Sequence, residues 1–122
     1  MDIDSDWKEI AISHLHLDLQ NPRHDRVEGE GDAIAHLCSE ENVFELASDI
    51  ASRGALSPLD SLGVIPQEGN PGHYVALEGN RRVCALILLA DPERAPTPAL
   101  RAQFQRIPQR AQAPRQIKVH VF

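Results

Sequence analysis

The sequence predicts a single domain in which strands and helices mix, and three observations carry that reading. Apolar residues alternate with polar ones at both ends of the chain: Ile10, Ile12, Leu15, Leu17 and Leu19 near the start, and Ile117, Val119 and Val121 at the close. Between them Val43, Phe44, Leu46, Ala47, Ile50 and Ala51 repeat at helical spacing on one face. A continuous apolar run from Val83 to Ala90 follows a capping signal and reads as a helix buried on most sides.

The elements follow in order. Trp7 to Leu19 is expected as a strand, or a strand running into an extended segment. Asn21-Pro22-Arg23 breaks it, because the residue before a proline is pushed into extended geometry. His24 to Gly31 is charged and contains glycine, which predicts a surface loop. Asp32 is placed to N-cap a short helix from Ala33 to about Ser39. A second helix is expected from Val43 to Arg53, with Asn42 as N-cap, Glu45 completing a capping box, and Gly54 ending it over a contact from Leu56.

Pro58 to Ile65 reads as a strand that opens on proline. The turn-forming stretch Gln67–Gly72 joins it to a short strand, His73–Leu77, as a hairpin. Asn80 is placed to cap the apolar helix Arg81–Ala90, and Asp91-Pro92 ends it. Thr97 is the N-cap expected for a helix reaching about Ile107, and Gln116–Phe122 is the closing strand. The chain stops on that strand, which suits equally a domain cut from a longer protein and a naturally short one.

Composition narrows the function classes. The 122 residues are 42% apolar and 25% charged, as a globular domain is, and only 4% aromatic, so the core is expected to be aliphatic. No apolar run approaches the roughly 20 residues of a membrane span, and the acidic start of the sequence leads to the expectation of no signal peptide. Cys38 and Cys84 form no framework, so a reducing, cytoplasmic setting is expected. The net charge of −6 argues against a nucleic-acid-binding surface over the whole domain. The charge is uneven, however. Residues 1–60 hold 14 acids and 4 Lys/Arg, whereas residues 61–122 hold 4 acids and 8 Lys/Arg, which leaves room for a local anion site.

Glu78-Gly79-Asn80-Arg81-Arg82 is the candidate for that site. Cations at the start of a helix oppose its dipole. Beside free backbone N–H groups they make sense if an anion joins them. Gly79 lets a ligand approach the backbone, Arg81 and Arg82 supply bidentate contacts, and Glu78 either positions Mg²⁺ or pairs with an arginine. The plain alternative is that both arginines bridge internal carboxylates. Arg23, after the Asn21-Pro22 kink, is aimed either at the same site or at solvent. Ser57 and Pro58, with Gly54 before them, shape a loop able to wall a pocket. His14 and His16 form an HxH pair without third and fourth ligands at suitable spacing, so no metal site is expected and a polar strand face accounts for them. His73 and His120 read as strand-face residues, and both cysteines as core packing.

Taken together, the order of strand, Asn-Pro-Arg, helices, Gly54 with Ser57-Pro58-Leu59, hairpin, Gly79-Asn80-Arg81-Arg82-Val83-Cys84-Ala85 and closing strand resembles the N-terminal domain of the ParB/sulfiredoxin superfamily, from about Ile10 to Phe122. The resemblance implies an α+β fold, a small mixed sheet surrounded by helices. It also implies a nucleotide site at the start of the arginine helix, for CTP or ATP with Mg²⁺. By position, Gly79, Asn80, Arg81 and Arg82 would hold phosphates, Asn21 and Arg23 would approach from the kink, and Gly54, Ser57 and Pro58 would border the base or ribose. Asn80 stands where ParB-like motifs carry a glutamate. Gly79-Asn80 stand where sulfiredoxins carry Cys-His, so sulfinic acid reductase activity is not expected.

The leading expectation is thus a nucleotide-binding switch or regulatory module of a DNA-associated protein, reaching DNA through regions outside this chain, with ligand binding favouring a closed state or a homodimer. The alternatives are a nucleotide-hydrolysing, phosphotransfer or nuclease enzyme with Glu78 as its catalytic carboxylate, and a nucleotide-free module that docks DNA or protein.

Overall fold

A computed structural model describes residues 7–19, 29–56, 62–77 and 79–122. Asn21, Arg23, Ser57, Pro58 and Glu78 lie outside the described residues, as does the start of the strand expected from Pro58.

Among the described residues, five strands form one mixed sheet in the order β1-β5-β3-β4-β2. β1 (Trp7–Ala11) lies antiparallel to β5 (Gln116–Val121), which runs parallel to β3 (Leu62–Pro66). β3 forms the expected hairpin with β4 (Tyr74–Ala76), and β4 pairs in parallel with β2 (Leu15–His16). The single N-terminal strand expected from alternation is therefore two strands, on opposite edges of the sheet. A 3-10 turn over Ile12–His14 separates them. The reason is visible in the burial pattern. Ile10, Ile12, Leu15 and Leu17 are all buried, and the step of three between Ile12 and Leu15 breaks the period of two. Ile12 N–H donates to the Arg115 carbonyl at 2.9 Å, fixing the chain where it leaves β1.

The core-facing strand residues are Ile10, Ile117, Val119, Leu62, Val64, Tyr74, Ala76 and Leu15. On the other face Trp7, His120 and Phe122 stack in series, with ring centroids 5.1 and 4.4 Å apart. The Phe122 ring covers Gly63, where an added Cβ would lie 2.6 Å from it. Charged Lys8 and Glu9 occupy the edge strand β1, a placement that discourages pairing with further chains.

Among the described residues, four α-helices accompany the sheet. α1 (Glu30–Glu40) begins two residues before Asp32, with Gly29 at its N-cap, so Asp32 lies in the first turn rather than at the cap. α2 (Val43–Arg53) has the expected bounds. Asn42 stands at its N-cap but in the left-handed region (φ 56°, ψ 42°), and its side chain makes no capping bond. Gly54 ends α2 at φ 75°, the conformation for which glycine is suited. α4 (Pro98–Gln105) is capped by Thr97, whose Oγ1 accepts from Leu100 N–H at 3.2 Å. Phe44 of α2 meets Phe104 of α4 edge-on at 5.7 Å.

α3 (Asn80–Ala90) is the centre of the molecule. Val83 to Leu89 are all buried, and the helix touches α1, α2, α4, β2 and the 3-10 turns. Each leucine or isoleucine so buried contributes about 1.5–3 kcal/mol. Packed on all sides along its body, α3 has only its ends to offer to solvent. Among the described residues, no helix is long and apolar enough to cross a membrane.

Candidate functional site

The start of α3 is built by backbone conformation first. Gly79, not Asn80, occupies the N-cap, at φ 79° and ψ 31°. Only glycine takes this left-handed geometry without strain. An added Cβ would also sit 3.1 Å from Leu62 Cδ2 and 3.5 Å from the Arg82 guanidinium, so Arg82 lies close beside this turn. Val83 N–H donates to the Gly79 carbonyl at 2.9 Å. The amides of Asn80, Arg81 and Arg82 therefore precede the helical ladder. No acidic residue stands in this first turn.

Asn80 is the principal correction to the sequence reading. It is the first residue of α3 and only 5% exposed. Its Nδ2 donates to the Asp18 carbonyl at 3.0 Å, and its Oδ1 accepts from Asp18 N–H at 3.1 Å. This reciprocal amide pair clamps the chain that follows β2 to the start of α3. Asn80 thus serves the fold from a buried position and is not the cap the sequence placed there. A longer acidic side chain would meet the Asp18 carbonyl with no proton to offer it.

Arg81 is exposed. Its Nε donates to the Glu41 carbonyl, and its Nη2 to the Asn42 carbonyl at 3.3 Å. These oxygens belong to the junction between α1 and α2, so Arg81 ties that junction to α3 through backbone acceptors rather than through a carboxylate. Arg82 is half-buried.

The structure thus brings Gly79, Asn80, Arg81 and Arg82 together. Gly54 lies elsewhere, at the far end of α2 from Asn42, about 16 Å along an eleven-residue helix. There an added Cβ would face the Gln112 carbonyl at 3.5 Å. Gln112 belongs to the 3-10 turn whose Arg110 donates to the Leu89 carbonyl at 3.0 Å, near the C-terminal end of α3.

A second polar cluster escaped the sequence reading. His14 is in the 3-10 turn and His16 in β2, while His73 directly precedes β4. His16 Nε2 and His73 Nδ1 are 2.8 Å apart, within hydrogen-bond distance. The His14 ring lies 4.6 Å from that of His73. Burial lowers the His16 pKa, with Arg94, His73 and His14 acting in the same direction and Glu30 opposing them. Arg94 in turn grips Glu30 of α1 through Nε, at 3.1 Å, and Nη2. His16 and His73 point at each other rather than at a shared third point. Among the described residues, no group of three or more His, Cys, Asp or Glu is arranged to hold a metal.

A cleft of about 310 Å³ opens between β1, the start of β5 and the C-terminal end of α3, lined in part by Ile12, Asp91, Arg94 and Arg115. It is at the opposite end of α3 from the arginine pair. Cys84 is buried and Cys38 half-buried. A hydrogen bond with Cys38, together with burial, raises the Cys84 pKa.

No family model and no curated protein matches the chain. Among solved structures, it is similar to the C-terminally truncated chromosome-partitioning protein ParB from Caulobacter crescentus complexed with CTP-gamma-S, at 19% identity and a TM-score of 0.51. The match covers 95% of this chain and 43% of that one, so the chain spans less than half the length of the protein it matches. At this identity the likeness shows the fold: helices with a five-stranded mixed sheet in an α+β, ParB-like arrangement.

Proposed function

We propose that this domain binds a nucleoside triphosphate, CTP before ATP, with the phosphates at the start of α3, and that it acts as a switch or regulatory module in a DNA-associated protein. One observation carries the reading. α3 is buried along its body, and its exposed first turn combines a left-handed glycine, amides ahead of the ladder, two arginines and no acid. That is the composition of an anion site. The ParB-like fold supports it, since the similar solved structure is a complex with CTP-gamma-S.

In this reading Arg82 and the first-turn amides hold phosphate oxygens. Arg81 joins them by exchanging the Glu41 and Asn42 carbonyls for a charged acceptor, which forms stronger hydrogen bonds. Mg²⁺ would accompany the triphosphate and neutralise part of its charge. With no acid in the first turn, Glu78 is the nearest carboxylate in the sequence to hold it.

Calorimetry with CTP, ATP, GTP and ADP in the presence of Mg²⁺ tests the proposal. Saturable binding, strongest for a triphosphate, is expected. The absence of heat with all four, at protein concentrations able to detect a dissociation constant of ~100 μM, would sink it.

A further inference from the structure

We infer that His14, His16 and His73 form a proton-operated latch, which holds β2 on the sheet and thereby keeps Asp18 clamped to the start of α3. Acidification then releases the clamp. The latch stands on its own geometry; only its consequence for ligand binding rests on the nucleotide reading above.

β2 invites such a device because it is weakly held. It is two residues long, occupies an edge of the sheet and, among the described residues, pairs only with β4, through Leu15 with Tyr74 and His16 with Val75. The buried side chains of Leu15 and Leu17 assist it. Beside its packing on α3, the imidazole cluster joins residues from both sides of the β2–β4 pairing. The 2.8 Å contact between His16 Nε2 and His73 Nδ1 needs one nitrogen to accept. The neutral pair, and the pair with one added proton, can keep a donor and an acceptor at this contact. A second added proton leaves two N–H groups and two cations face to face. His14 stacks against His73 at 4.6 Å and adds a third charge when it is protonated.

The surrounding charges favour release in acid. Arg94 acts on His16 as a further cation, and the opposing Glu30 carboxylate already holds the Arg94 guanidinium. Two residues beyond His16, the Asp18 backbone enters its pair with Asn80. Displacement of β2 therefore pulls directly on the first residue of α3.

The sign of the effect follows from burial and repulsion, which both disfavour the charged His16 imidazole in the folded state. At His16 the folded state takes up fewer protons than the unfolded chain, where a histidine titrates near ~6.5. The stabilisation is complete above about pH 6.5 and is lost as the pH falls from there through the lowered value of His16.

Amide hydrogen exchange on the ligand-free full chain, read by NMR and corrected for intrinsic rates, tests the latch. The Asp18 amide reports the clamp itself, because it donates to Asn80 Oδ1. Its protection is expected to fall about tenfold or more between about pH 7.5 and about pH 5.5, while Leu86 in the middle of α3 keeps its protection. His73→Gln should flatten this dependence. Protection at Asp18 that ignores pH, or a dependence that survives His73→Gln, overturns the latch. Imidazole titration of the unaltered protein gives a second reading that needs no variant. His16 should titrate below the range of a free imidazole; a His16 titration at or above ~6.5 would overturn the proposal equally. CTP affinity measured over the same range should fall further in the unaltered protein than in His73→Gln. A protein that binds no nucleotide but loses Asp18 protection in acid keeps the latch and discards the nucleotide reading.

Discussion

Replacing Asn80 with alanine removes the two hydrogen bonds to the Asp18 backbone, at 3.0 and 3.1 Å, and leaves the rest of α3 in place. A neutral hydrogen bond contributes about 0.5–1.5 kcal/mol net, so the pair contributes about 2 kcal/mol. Alanine is the better helix former by roughly 0.5 kcal/mol, which reduces the expected loss to about 1.5 kcal/mol. At ~2.1 cal/mol/K per residue, a chain of 122 residues unfolds with an entropy near 0.26 kcal/mol/K, so the thermal midpoint should fall by about 6 °C.

Circular dichroism on ligand-free protein is the assay, supported by urea denaturation. Asn80→Asp sharpens the argument. The introduced carboxylate can still accept from Asp18 N–H, but it offers the Asp18 carbonyl no proton. Its folded-state pKa should therefore be raised, and this variant should lose its deficit relative to the parent as the pH falls and the acid proton becomes available to that carbonyl. A midpoint for Asn80→Ala within about 2 °C of the parent would refute the clamp as a structural element.

Gly79→Ala should lower the midpoint by about 4–8 °C, because a left-handed residue with a Cβ costs roughly 1–2 kcal/mol and the added atom crowds Leu62; an unchanged midpoint would contradict the geometry. Arg81→Ala and Arg82→Ala should each weaken triphosphate binding roughly tenfold or more, since a charge-assisted bond contributes about 1.5–3 kcal/mol. Equal affinities would remove the arginines from the site. In native protein at neutral pH, a thiol reagent should modify Cys38 and spare Cys84, which burial and its hydrogen bond to Cys38 keep as the thiol. Rapid modification of Cys84 without denaturant would count against that packing.

Much of the architecture was legible because it depends on local signals. Val43–Arg53 carried its helical stripe and terminal glycine, Thr97 its cap, and Gln116 to Val121 its alternation. The apolar body of α3 announced burial on all sides, and the first turn thereby became the part able to meet a ligand. Even the division of the N-terminal strand was present in the phase change between Ile12 and Leu15, although alternation read over a long window conceals it.

What was not legible depends on partners distant along the chain. Asn80 resembles any helix cap until Asp18, 62 residues away, is seen to take both halves of its amide. His14 and His16 lacked a third histidine because His73 reaches them only once β2 pairs with β4, across 57 residues from His16. Arg81 was expected to face either an anion or a carboxylate, and its contacts to two backbone carbonyls at a helix junction were in neither reading. No spacing rule points to such acceptors, because every residue has one.

Titration of CTP with Mg²⁺ into isotope-labelled protein, followed through the backbone amides, tests the central claim most directly. The account predicts saturable shifts that are largest at the amides of Gly79, Asn80, Arg81 and Arg82 and are lost in the arginine variants. Shifts centred instead on Ala90, Asp91 and Arg94 at the other end of α3, or no shifts at all, would contradict it.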